Sequence, residues 1–173
     1  MENPRATKAM GGSPDEFAIR LASPEDALAI LQCLRAAFEP YRSQYMPQAY
    51  LDVVMTPDTL LQRLTSMTVL VAVDAQGTLV GTIGGAVVSS SEGHLRGMAV
   101  LPGWHGRAIA QRLLEAMENH LIGRGCTRIS LDTTEPLHRA MRFYEKNGFR
   151  RTGKVTDFFG MPLIEYLKHF PPH

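Results

Sequence analysis

The strongest constraint on this chain is a run of three β-patterned segments that passes directly into a helical segment and then into a further alternating one. Residues 69–73, 78–88 and 94–101 are rich in Val, Ile, Leu and Thr. They are separated by Asp74-Ala75-Gln76-Gly77 and by Ser89-Ser90-Ser91-Glu92-Gly93, short polar-glycine links of the kind that join antiparallel neighbours. From Gly106 the period changes. Ile109, Leu113, Leu114, Met117 and Leu121 recur at helical spacing, with Gly123 and Gly125 as stop signals. Residues 128–133 alternate again around Ile129 and Leu131. A strand that reaches the next strand through a helix lies parallel to it, so the strands flanking this helix are expected to form a parallel pair in an otherwise antiparallel sheet.

The flanking sequence extends that sheet. Phe17, Ile19 and Leu21 alternate with Ala18 and Arg20 as a short strand. Ser23-Pro24-Glu25-Asp26 then reads as an N-cap, a first-turn proline and an acidic first turn, and the helical spacing of Ala27, Ile30, Leu31, Leu34 and Phe38 stops at Pro40. Residues 41–57 read as a loop with a short helix, and 59–64 as another turn or two of helix. Thr134 and Pro136 open a helix that Gly148 closes, and residues 149–170 form two strands joined near Gly160-Met161-Pro162. The expected fold is mixed α/β, a mostly antiparallel central sheet of about seven strands flanked by helices. Residues 1–15, rich in Gly, Pro, Ser and Asn, read as a flexible leader, and 16–173 as a single domain.

Composition narrows the partners. With 18 basic and 17 acidic residues the net charge is +1, which provides no field for gathering nucleic acid or an acidic membrane. Cys33 and Cys126 lie far apart among apolar neighbours and read as small core residues, so neither a disulfide framework nor a metal cluster is expected. No segment has the continuous apolar length of a signal region or a membrane span, and a cytoplasmic location is the default expectation. A Gly-x-x-x-x-Gly-Lys-Ser/Thr phosphate loop, a His-Glu-x-x-His metal motif and a Gly-x-Ser-x-Gly elbow are all absent.

The most informative segment runs from Leu95 to Ala110, where a strand passes through a small-residue turn into an amphipathic helix. Unpaired amides and the macrodipole at such a helix start can receive an anion, although small residues also serve close helix–sheet packing. Together with Phe143-Tyr144-Glu145-Lys146-Asn147-Gly148-Phe149, this segment resembles the GCN5-related N-acetyltransferase (GNAT) family. The resemblance implies an enzyme that binds acetyl-CoA without metal and transfers its acetyl group to a primary amine of a small molecule or peptide, by direct attack in a ternary complex. The family's pyrophosphate motif falls on His105, Gly106, Arg107, Ala108, Ile109 and Ala110, with His105 in place of Gln or Arg and Ala108 in place of Gly. Met98, Ala99 and Val100 correspond to the strand whose main chain bonds the pantetheine arm, and Tyr144 to the acid that protonates the departing thiolate. Leu137 stands where many relatives carry a cofactor-contacting Asn.

The acceptor side is less determined. The resemblance assigns substrate choice to the segment after the first helix and to the final hairpin, which here hold Tyr41, Arg42, Tyr45, Tyr50, Asp157, Phe158 and Phe159, with Tyr41, Tyr45 and Phe158 as the candidate contacts. No carboxylate occupies residues 95–98, where many relatives keep a base. Glu92, His94 and Asp132 could act through water, yet each reads as a surface or turn residue, and catalysis by positioning alone stays open. The missing base and the altered Ala108 keep a non-catalytic acyl-CoA-binding sensor or an interaction module on the same fold as the alternative. An exposed sheet edge leaves a homodimer open.

Overall fold

Alternation along one strand creates both layers of the molecule. In Thr68–Asp74 (β2), Val69 and Val71 enter one apolar cluster while Leu70 and Ala72 enter another on the opposite face. The computed structural model describes residues 16–172, so the expected leader, 1–15, lies outside the described residues.

The sheet has seven strands in the order β1-β2-β3-β4-β5-β7-β6: Phe17–Leu21 (β1), β2, Leu79–Val87 (β3), Glu92–Val100 (β4), Arg128–Thr134 (β5), Arg150–Phe158 (β6) and Met161–His169 (β7). Every neighbouring pair is antiparallel except β4 and β5, which run parallel as the strand–helix–strand order requires. Ala27–Phe38 (α1), Pro47–Val54 (α2) and Pro57–Ser66 (α3) lie on the side of Val69 and Val71. Ile109–Gly123 (α4) and His138–Lys146 (α5) cover the other side. Among the described residues no helix is long and apolar enough to cross a membrane. Cys33 and Cys126 are free and buried, as their apolar neighbours suggest.

Local chemistry sets several boundaries differently from the sequence reading. Pro24–Asp26 forms a 3-10 turn before α1, tied by Asp26 accepting from the Ser23 amide at 2.8 Å and from Arg20 at 2.7 and 2.8 Å. The third helix is longer than 59–64, because Thr56 caps it by accepting from the Thr59 amide at 3.2 Å and Pro57 opens its first turn. Gly93 lies inside β4 rather than in the preceding turn. The reason is steric: a Cβ there would come within 2.8 Å of Leu121 Cδ1.

That glycine belongs to a matched set. Ile109, Leu113, Met117 and Leu121 form one i, i+4 row of α4, and beneath it lie Gly81 and Gly85 of β3 and Gly93 of β4. A Cβ at Gly81 would stand 3.0 Å from both Ile109 and Leu113, and one at Gly85 2.5 Å from Met117 Sδ. The helix therefore sits unusually close on the sheet. Gly85→Val is expected to destabilise the fold by about 2 kcal/mol through overpacking, lowering the melting temperature by roughly 4–8 °C in calorimetry. Gly103→Ala, at a position with nothing within 4 Å of the new methyl group, should leave the midpoint unchanged.

Candidate active site

The strand β4 carries one residue more than its partner can match. The register with β3 shifts between Gly84, opposite Arg96, and Thr82, opposite Ala99, and Gly97 in that bulge has φ +63°. Pairing with β5 runs only from Glu92 opposite Arg128 to Leu95 opposite Leu131. Beyond it β4 parts from β5, leaving Ala99 and Val100 paired on the β3 side alone and Met98 within the bulge.

Two chambers open along this parting. The larger, about 610 Å³, is walled by Met98, Ala99, Val100, His105, Gly106, Ala108, Ile109 and Ala110, so the strand end and the turn expected to hold a cofactor face one space. Arg107 is not on this wall; its guanidinium stacks on the Trp104 ring at 4.5 Å. The smaller chamber, about 440 Å³, is walled by His94, Arg96, Asp132, Thr134, Tyr45, Phe158 and others. Both include Phe38, Met98, Leu137, Ala140 and Tyr144, which therefore stand where the two meet. The candidate acceptor contacts divide: Tyr45 and Phe158 line the smaller chamber, while Tyr41 lines the larger, because the 3-10 segment Glu39–Gln44 turns it back beside α1. Tyr45 is buried, and its hydroxyl bonds Thr134 Oγ1 at 2.6 Å.

The turn 105–108 is built around left-handed backbone. Gly106 has φ +81° and Ala108 φ +62°, the latter immediately before α4. The first amide bonded into the helix from this turn is that of Arg112, donating to the Ala108 carbonyl at 3.0 Å, so the preceding amides at the helix start have no intrahelical partner. His105 brings no charge here: burial and the neighbouring Arg139 both lower its pKa, and Arg139 Nη1 approaches its Nδ1 at 2.7 Å. The cations on this wall are Arg139 and Lys146 of the α5 region, which the sequence reading did not single out.

Tyr144 is buried, and among the described residues its phenol donates only to the soft sulfur of Met98 at 3.4 Å. Burial raises its pKa, so the phenol keeps its proton. Thr133 Oγ1, on the smaller chamber's wall, is buried without a hydrogen-bond partner among the described residues.

His94 is not a turn residue. It lies inside β4 and is only partly exposed, with Nδ1 2.8 Å from Ser130 Oγ and Nε2 3.6 Å from Asp132 Oδ2. Burial lowers the His94 pKa and raises that of Asp132, favouring the neutral form of each. Both residues are candidates in the sequence, and alternation along residues 92–96, which puts His94 and Arg96 on one face, is the signal that His94 belongs to the strand. Glu92 instead bonds Arg128 at 3.1 Å.

The left-handed alanine has a testable cost. Ala108→Gly is expected to relieve roughly 1 kcal/mol of backbone strain, offset in part by the freer unfolded chain. Differential scanning calorimetry should give a midpoint no lower than that of the wild type, whereas Gly106→Ala should lower it.

Comparison with known proteins agrees with this geometry. The model of the acetyltransferase (GNAT) family matches residues 29–149. An acetyltransferase of Pectobacterium atrosepticum is 37% identical over 89 residues, and the match spans 49% of this chain and 61% of that protein. The PaiA N-acetyltransferase of Thermoplasma acidophilum, solved in complex with coenzyme A, superposes with a TM-score of 0.74 at 22% identity over 90% of this chain and 99% of that one. The ribosomal-protein-S18-alanine N-acetyltransferase of Escherichia coli gives a TM-score of 0.73 at 16% identity, covering 91% and 96%. At these identities the two structures speak for the fold.

Proposed function

The chain belongs to the GNAT acetyltransferase family, and from that premise we propose that it is an acetyl-CoA-dependent N-acetyltransferase acting on a primary amine by direct attack in a ternary complex. The observation that carries the reading is the place of Tyr144: a protonated, nearly unbonded phenol at the junction of two chambers, one floored by a helix start and the other by an imidazole.

The larger chamber fits the cofactor. The amides at the start of α4, which lack intrahelical partners, suit its diphosphate, with Arg139 and Lys146 supplying charge beside them. The main chain of Met98, Ala99 and Val100, unpaired on the β5 side, suits the amide groups of the pantetheine arm. On the smaller chamber's wall, Thr133 Oγ1, buried without a hydrogen-bond partner among the described residues, is open to a ligand atom. Leu137 lines both chambers and offers packing but no polar contact.

Bound acetyl-CoA supplies a thioester carbon for an amine held in the smaller chamber. His94 takes the proton that the amine nitrogen loses as the new C–N bond forms, directly or through one water. In the tautomer with Nδ1–H directed at Ser130, whose hydroxyl faces the Gly93 carbonyl at 3.5 Å, the lone pair is on Nε2, on the side of Asp132 Oδ2 at 3.6 Å. Tyr144 gives its proton to sulfur as the C–S bond breaks, and recovers one from solvent. The products are an amide and free CoA thiol. The sensor alternative drew its motive from the lack of a base and from the altered Ala108, and the place of His94 beside the chamber speaks against the first. The reading carries with it a cytoplasmic location and leaves pairing of two copies to the exposed β6 edge.

Release of free thiol, screened over amines, amino acids and peptides, tests the activity, and calorimetric titration with acetyl-CoA tests the cofactor. Tyr144→Phe is expected to lower kcat by about 100-fold or more with the CoA affinity held within a few-fold. An unchanged kcat would remove the acid role. A base must be neutral, and burial puts the His94 pKa below its ordinary 6.5. The profile of kcat/KM should therefore be flat through pH 7 and fall only below 6.5, as protonation removes the base. His94→Gln should lower the plateau and abolish that acid limb; a limb that persists in the variant would assign it elsewhere.

A further inference from the structure

Nothing in acetyl transfer itself calls for two guanidinium groups in the smaller chamber, yet Arg63 of α3 and Arg96 of β4 both line it. Arg63 is the more enclosed: burial first, and then the charge of Arg96, push its pKa down to about 10. The nearest counter-charge is Asp52, which stands 3.9 Å from Arg96 and acts on Arg63 more weakly than Arg96 repels it. Among the described residues the Arg63 guanidinium has no hydrogen bond or ion pair, an arrangement that is costly for a half-buried cation.

Its position is nonetheless built in. Gly97 has no side chain, and a Cβ there would come within 2.5 Å of Arg63 Nη1, so the β4 bulge is what lets the guanidinium lie against the strand. His94 lies on the same stretch of β4, close enough to Arg96 for that charge to disfavour its protonation. The chamber thus sets two guanidinium groups, with the single carboxylate of Asp52 as their nearest counter-charge, beside a neutral imidazole, in a volume of about 440 Å³, a size suited to a small molecule.

We infer that the acceptor is a small amino acid, its carboxylate seated on Arg63 and Arg96 and its amine turned toward His94. This rests on the acetyl-transfer reading of the site. A polyamine would bring more positive charge to the same corner, and the amine of a peptide N-terminus has no carboxylate beside it. An α-amino and an ω-amino acid share the required chemistry, differing in the span between the two groups.

The test uses matched pairs in which the carboxylate is replaced by hydrogen: leucine with isoamylamine, phenylalanine with phenethylamine, and γ-aminobutyrate with propylamine, plus a dipeptide and spermidine. Each is assayed for thiol release and, independently, for calorimetric binding to the full chain saturated with CoA. At least one acid should exceed its amine by about 30-fold in kcat/KM or in affinity, the size expected of a charge-assisted contact. In Arg63→Gln and in Arg96→Gln, both checked for an intact melting transition, that ratio should fall to within about threefold of unity, through KM rather than kcat. Which pair shows the ratio separates α- from ω-amino acids.

Turnover of amines, spermidine or the dipeptide with no preference for a carboxylate would overturn the inference and leave acetyl transfer standing. A preference that survives in both variants would overturn it as well. Should nothing be turned over, calorimetry decides: carboxylate-dependent binding lost in Arg63→Gln upholds the seat while sinking acetyl transfer, and no binding of any acid sinks the seat.

Discussion

One supernumerary residue in β4 organises the functional half of this molecule. Parallel pairing with β5 holds as far as Leu95 opposite Leu131, and the left-handed bulge at Gly97 then turns the strand away. Backbone groups that a continuous sheet would have consumed are left facing a cleft. The same bulge makes room for the Arg63 side chain, so a single glycine shapes both the parting of the strands and the charge of the wall beside it. An ordinary L-residue at 97 would meet the backbone penalty and the steric one together.

The second constraint is the seat of α4. Its i, i+4 row rests where β3 and β4 present hydrogen in place of side chains, and a helix so fixed along its length cannot shift its N-terminus without lifting Ile109 or Leu113 off the sheet. The start of α4 is thereby held beside the end of β4, on the wall of one chamber. This explains why Ala108 is tolerated at φ +62°, where glycine would be easier: the packing of the helix below it dictates the backbone, and the methyl group points out into the exposed turn.

Much of this was legible in the residues. Strand and helix periods gave all seven strands, and the strand–helix–strand order required the one parallel pair. The Phe-Tyr-Glu-Lys-x-Gly-Phe run picked out Tyr144, which the fold brings to the junction of the chambers. What escaped had physical reasons. Gly97 in a strand does not announce the sign of its φ, and nothing local distinguishes a bulge from a plain small residue. His94 was discounted because the preceding serines suggested a turn reaching to Gly93, whereas Leu121 demands a glycine there and draws it into the strand. Arg63 belongs to a helix whose strongest signal is a cap, and its direction depends on a bulge more than thirty positions away. Tyr41 turned to the larger chamber because a 3-10 segment, rather than an open loop, follows α1.

The parting of β4 from β5 also makes the cleft a passage with two mouths. One opens between the helix starts of α4 and α5, the other among α2, α3 and the last hairpin, and only Tyr144 and its few shared neighbours lie between. If the site acts as proposed, traffic through such a passage need not take turns: a long nucleotide-tailed molecule and a short one could each arrive, and each leave, by its own door. Order of addition would then be a matter of relative affinity instead of obstruction, with no geometric pressure to park the acyl group on the protein between two visits.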